Sequence, residues 1–249
     1  MNSIVLLLSF CLATAVLGSF LHPFHAQSPA YVSIAADQSD RAAFHGWVDS
    51  TAQSPSDTGF PGFSVHSSGS CRVNVCYAFD GSSSINRRAF QAEKDFAKLV
   101  DKEIRLGYPN GAAVAGIQYA SEAEIEFRLT QDPNTANQRI DMMRQMGGGT
   151  NTGIGIFECG FLLWKVKEQA RHIIILTDGN ANMGPDGAAV ARAMRESGAV
   201  VSVVATGYPN PRLLDALAGP NGKVYRVDSF NDATAMARIS VQLGRDICN

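Results

Sequence analysis

The sequence has no basic excess: 21 Lys and Arg stand against 23 Asp and Glu, for a formal net charge of -2. Without a positive field to hold polyphosphate, nucleic acid is not an expected partner. A second long apolar run is missing too. The first, residues 4–17, is interrupted only by Ser9 and Thr14 and is too short to cross a bilayer comfortably. With Gly18 and Ser19 behind it, the run reads as a secretory signal over residues 1–18, although Met1-Asn2-Ser3 carries no Lys or Arg. Once the signal is removed, no membrane insertion is expected. There is no N-x-Ser/Thr sequon, so N-glycosylation is not expected either.

The patterns of common enzymes and zinc sites are also absent. Gly147-Gly148-Gly149-Thr150 is glycine-rich but lacks the Lys of a phosphate-binding loop. Ser82 and Ser83 lie in no G-x-S-x-G elbow. Of five cysteines, Cys11 falls in the signal; Cys71, Cys76, Cys159 and Cys248 remain, with no paired Cys or His cluster to hold zinc. An even count in an exported chain predicts two disulfides, and four cysteines allow three pairings. His22, His25, His45 and His66 lie in the leader and His172 opens an apolar strand, so surface titration or packing is their expected role. Asp95, Asp101, Glu103, Glu122, Glu124 and Glu126 read as solvated faces.

What is present suffices for one sizeable α/β domain: 249 residues, of which 45% are hydrophobic. Residues 19–70 are rich in Ser, Gly, Pro, His and Gln and read as a leader of low order, with Trp47 a candidate anchor. From Cys71 onward, strands alternate with helices. Strands are predicted over 73–79, 112–119, 123–129, 173–176, 200–204 and 224–227, the second and third forming a hairpin around residues 120–122. Helices are predicted over 86–106 (ended by Gly107), 134–146, 154–166, 187–197, 211–218 and 232–243. The alternation predicts a doubly wound, mostly parallel sheet with helices on both faces, in a domain over residues 71–249.

In such sheets, sites form in loops at the carboxyl ends of the strands. Three loops qualify. Asp80-Gly81-Ser82-Ser83-Ser84 follows the first strand, residues 147–153 precede the apolar helix, and Thr177-Asp178-Gly179 follows the strand at 173–176. If the two strands are neighbours, the loops converge. Asp80, Ser82 and Ser84, spaced at i, i+2 and i+4, can then aim three oxygens inward, while Thr150 adds a hydroxyl and Asp178 a carboxylate. Hard cations such as Mg²⁺ take oxygen ligands in octahedral geometry. With few carboxylates on the metal, a remaining position attracts an outside Asp or Glu.

Asp80-x-Ser82-x-Ser84 with Thr150 and Asp178 resembles the metal-ion-dependent adhesion site of von Willebrand factor type A and integrin inserted domains. The resemblance runs from about residue 71 to 249 and implies a Rossmann-like fold. It also implies Mg²⁺ or Mn²⁺, direct ligation by Ser82, Ser84 and Thr150, and Asp residues acting partly through water. The clasped termini of several relatives imply Cys71–Cys248, leaving Cys76–Cys159. The implied function is a secreted adhesion module, not an enzyme, binding an extracellular protein that presents Asp or Glu. The alternative is a scaffolding protein whose metal only stiffens the loops.

Overall fold

The computed structural model describes residues 70–166, 169–179, 181–207 and 209–249. The expected signal over 1–18, the leader up to residue 69 and Trp47 lie outside the described residues.

Asn and Asp start every helix described. Asn86 opens α1 (Arg87–Glu103), Asp132 α2 (Pro133–Met142), Asn151 α3 (Thr152–Trp164), Asp186 α4 (Gly187–Glu196), Asn210 α5 (Pro211–Ala218) and Asp232 α6 (Ala233–Cys248). In each case the cap's side chain accepts an otherwise orphaned backbone N–H of the first turn. Pro133 and Pro211 follow their caps, where the missing N–H costs nothing.

The strands are β1 (Val73–Asp80), β2 (Ala113–Tyr119), β3 (Ala123–Thr130), β4 (Ala170–Thr177), β5 (Ala199–Thr206) and β6 (Val224–Val227). They form one sheet in the order β3-β2-β1-β4-β5-β6. All neighbours are parallel except β2 and β3, which form the expected antiparallel hairpin. The inner strands β1 and β2 are buried along their whole length, as a sheet covered on both faces requires. Cys76, Ala78, Ile173, Ile175, Val201 and Val203 face α3, α4 and α5. Val75, Tyr77, Phe79, Ile174 and Leu176 face α1, α2 and α6. This is the doubly wound sheet that the alternation predicts. Among the described residues, no helix is long and apolar enough to cross a membrane.

Several boundaries differ from expectation. The first helix ends at Glu103, not Leu106, and the chain turns through Arg105 in the left-handed region (φ 60°) before reaching Gly107. The second helix stops at Met142 because residues 143–146 run on toward the site, where the Met146 N–H donates to Gln118 Oε1. The last helix continues to Cys248, five residues beyond its predicted end. Asp101 is not on a solvated face: it is buried and accepts a 2.7 Å hydrogen bond from the Tyr77 hydroxyl. Glu126 is half-buried and accepts from Gln118 Nε2.

Candidate metal centre

From β1 the chain runs outward to β2 and β3, then returns to lay β4 on the other side of β1. This reversal opens a crevice at the carboxyl ends of β1 and β4. Asp80 is the last residue of β1 and Thr177 the last of β4, so both lie at its floor.

Asp80 is fully buried and held from several sides. Its Oδ1 accepts the Ser82 N–H at 3.0 Å, a turn in which the side chain folds its own loop back. Its Oδ2 accepts from the hydroxyls of Tyr119 and Thr177, each at 3.3 Å. Its N–H donates to Glu93 Oε2 at 3.1 Å. Ser82 is buried, and its Oγ stands 2.9 Å from that of Ser84. Ser84 could instead have capped α1, but Asn86 performs that task, so the Ser84 hydroxyl is left to the loop.

The second loop is tied to the first by main-chain bonds, and the segment after Asp178 is tied to the second loop through Asn182. The Ser83 N–H donates to Gly148 O, the Gly147 N–H to Gly81 O, and Ser83 Oγ accepts the Gly148 N–H. Thr150 is buried; its N–H donates to Asn182 Oδ1 and its carbonyl accepts the Asn182 N–H, both at 3.0 Å. Asp178 follows β4 directly, and its charge acts on Asp80. The structure thus brings the loops of all five predicted residues, Asp80, Ser82, Ser84, Thr150 and Asp178, to one end of the sheet.

Several supporting residues carry no motif signal. Gln145 Nε2 donates to the carbonyls of Ser82 at 3.0 Å and Ile85 at 2.6 Å, clamping the first loop. Gln118 is buried beneath Gly81, where an added Cβ would meet its Oε1 at 2.2 Å. Tyr119, Thr177, Asn182 and Glu93 complete the frame. Of these, only Thr177 lay inside a segment singled out from sequence; an acid at the apolar spacing of α1 is the one signal that could have raised Glu93.

Electrostatics favour a cation here. Burial pushes the Asp80 carboxyl up to about 6; hydrogen bonds from Ser82 oppose the rise, and the charge of Asp178 adds to it. Burial, followed by the charge of Asp80, raises Glu93 well above the usual carboxylate range. Among the described residues, no Lys, Arg or His offsets Asp80 or Glu93. Among the described residues, no group of three or more His, Cys, Asp or Glu is placed to hold a metal; the side chains that meet here offer carboxylate and hydroxyl oxygens. Adjacent ligands of an octahedral Mg²⁺ with bonds of 2.0–2.1 Å are separated by about 2.9 Å. The Ser82 and Ser84 hydroxyls, hydrogen-bonded to each other at 2.9 Å, are close enough to serve as adjacent ligands, and the oxygen donors present fit a hard divalent cation.

A cavity of about 360 Å³ opens beside the centre and is walled partly by Met183, Pro185, Leu213 and Leu217. Thr177 and Asn182, which bond to Asp80 and Thr150, also line it. Away from the centre, Cys71 bonds Cys248 and Cys76 bonds Cys159. The first bridge ties the start of β1 to the last turn of α6, and the second pins α3 to the sheet.

A doubly wound sheet with a carboxylate–hydroxyl cluster at its switch point defines a class of α/β domains, and comparison with known proteins identifies the family. The family model described as the von Willebrand factor type A domain matches residues 74–238. The chain belongs to that family. The collagen alpha-6(VI) chain of Homo sapiens is 30% identical over 184 residues, covering 71% of this chain and 8% of that one. Von Willebrand factor A domain-containing protein 2 of Homo sapiens is 29% identical over 175 residues, covering 66% and 22%. The chain therefore spans only a small part of the length of these curated relatives. Among solved structures, proximal thread matrix protein 1 from the mussel byssus, with a zinc-occupied MIDAS motif, shares the fold. Its TM-score is 0.63 at 23% identity, covering 70% of this chain and 46% of that one.

Proposed function

We propose that this chain is a secreted, metal-dependent protein-binding module without catalytic activity. It holds Mg²⁺ or Mn²⁺ through Asp80, Ser82, Ser84, Thr150 and Asp178, and engages an Asp or Glu of an extracellular partner protein. The observation that carries the reading is the buried Asp80 carboxylate, acted on by the charge of Asp178 and bonded to a loop whose Ser82 and Ser84 hydroxyls lie 2.9 Å apart beside it.

When bound, the cation supplies an electrophilic position that a carboxylate from outside can complete. The chain's residues do the rest. Asp80 and Asp178 provide the counter-charge, and Ser82, Ser84 and Thr150 provide neutral oxygens that leave the cation's charge incompletely neutralised. Gln145 and Gln118 hold the loops in register before any partner arrives, so little ordering is required on binding. An all-oxygen donor set favours Mg²⁺ or Mn²⁺, although the mussel byssal protein takes zinc at its motif. The loops contain no His and no acid besides Asp80 and Asp178, and with both assigned to the cation the loops offer no separate general base. The matches to collagen VI chains support an extracellular setting.

Solid-phase binding of the chain to an extracellular-matrix preparation tests the reading. Binding in Mg²⁺ that is released by EDTA and lost in Asp80→Ala is expected. Binding that survives both contradicts it. Chelation that lowers thermal stability without releasing the partner supports the scaffolding alternative instead.

A further inference from the structure

We propose that Glu93 is a positioning residue of the metal centre, whose buried carboxyl group holds the main chain of Asp80 at the end of β1 and so sets cation affinity. The inference rests on the metal-binding reading above.

Glu93 lies on the face of α1 that packs on the sheet, among Ala89, Phe90, Phe96 and Ala97. Helical spacing calls for an apolar side chain there. A fully buried carboxyl group at that position is costly unless it makes a specific bond. It makes one, from the Asp80 N–H to Oε2 at 3.1 Å, while Oε1 has no hydrogen-bond partner. Asp80 is therefore gripped at both ends. Its amide is held by Glu93 and its carboxylate by Ser82, Tyr119 and Thr177. Groups behind the ligands that fix their orientation typically change metal affinity by about 10–100-fold when removed. An apolar residue in place of Glu93 would pack well but leave the Asp80 N–H buried without an acceptor. The end of β1, and with it the direction of the Asp80 carboxylate, would lose its anchor.

Calorimetric titration of the full chain with Mg²⁺, in the wild type, Glu93→Gln and Glu93→Met, tests the proposal, together with the ¹H–¹⁵N resonance of the Asp80 amide. Gln keeps an acceptor oxygen in the same place. Glu93→Gln should bind within threefold of wild type, with the Asp80 amide proton near its wild-type shift. Glu93→Met should bind about tenfold more weakly, with that proton moved upfield. Thermal denaturation without metal checks that both variants fold, and Glu93→Leu replaces Met if the latter does not. Mg²⁺ uptake by the wild type with unchanged affinity in the apolar variant overturns this proposal alone. So does an equal loss in Glu93→Gln. No uptake by the wild type overturns both the proposal and the metal reading.

Discussion

Thr177 Oγ1 donates to Asp80 Oδ2 at 3.3 Å, joining positions 97 residues apart at the ends of two neighbouring parallel strands. The same hydroxyl accepts the Gly179 N–H at 2.9 Å, so it sets the turn that follows β4. Thr177→Val removes both bonds: the buried Gly179 N–H loses its acceptor, at a cost of about 1–3 kcal/mol, while Asp80 Oδ2 keeps only the Tyr119 hydroxyl. Mg²⁺ affinity should fall about tenfold in Thr177→Val and stay near wild type in Thr177→Ser, as measured by calorimetry alongside urea denaturation.

Gln145 acts on the first loop from outside the motif. Gln145→Ala frees the carbonyls of Ser82 and Ile85, so the loop should loosen without the core being disturbed. Thermal stability should fall by about 1–2 kcal/mol, and added Mg²⁺ should restore part of it. Hydrogen exchange should show faster amides over residues 82–85, with β4 unchanged. Equal acceleration in β4 would show that Gln145 supports the whole domain.

The two disulfides differ in access. Cys76 and Cys159 are both fully buried, whereas Cys248 is partly exposed. Mild reductant on the native chain should open Cys71–Cys248 first, seen by mass spectrometry after alkylation. The chain-entropy model gives about 5 kcal/mol for a bridge closing 177 residues, so the opened form should denature at lower urea. Simultaneous opening of both bridges would show that reduction proceeds through global unfolding.

Acid should weaken the fold through His172. Burial pushes its imidazole from 6.5 down to about 4, with a small opposing influence from Asp246, and it shares a 2.9 Å hydrogen bond with Ser202. Because the folded value is depressed, the fold favours the neutral ring. That contribution is intact above about pH 6.5 and is lost as pH falls through 4. Asp101, which burial pushes up to about 7, works in the opposite direction by favouring the folded state as it gains a proton. Comparison with His172→Asn separates the two. Stability of the wild type relative to the variant should drop by about 3 kcal/mol between pH 7 and 4 in urea titrations. A difference that does not change with pH would exclude His172.

The architecture was legible because its signals are local and repeated: apolar β-branched runs at β4 and β5, Asp132-Pro133 before α2, helical spacing in α1. The five candidate residues could be named because a motif places them in three separate loops, and the strand order explains why those loops lie at one end of the sheet. Boundaries were less so. Residues 143–146 have helical composition but leave the helix to meet Gln118, a tertiary contact that no window of sequence contains. Asp101 was misread for a related reason. An acid looks solvated until a partner such as the Tyr77 hydroxyl, contributed by another element, is seen. Glu93 went unnoticed on the same account, its partner being a backbone amide at the end of β1.

On the proposed reading, two carboxylates and three hydroxyls share one divalent cation. Titration calorimetry of Mg²⁺ into the metal-free chain tests it most directly, using the wild type, Asp80→Ala and Asp178→Ala. Uptake of one ion per chain by the wild type, abolished in Asp80→Ala and strongly weakened in Asp178→Ala, is the predicted result. A folded wild-type chain that takes up no divalent cation, or an Asp80→Ala chain that binds as tightly as wild type, would contradict it.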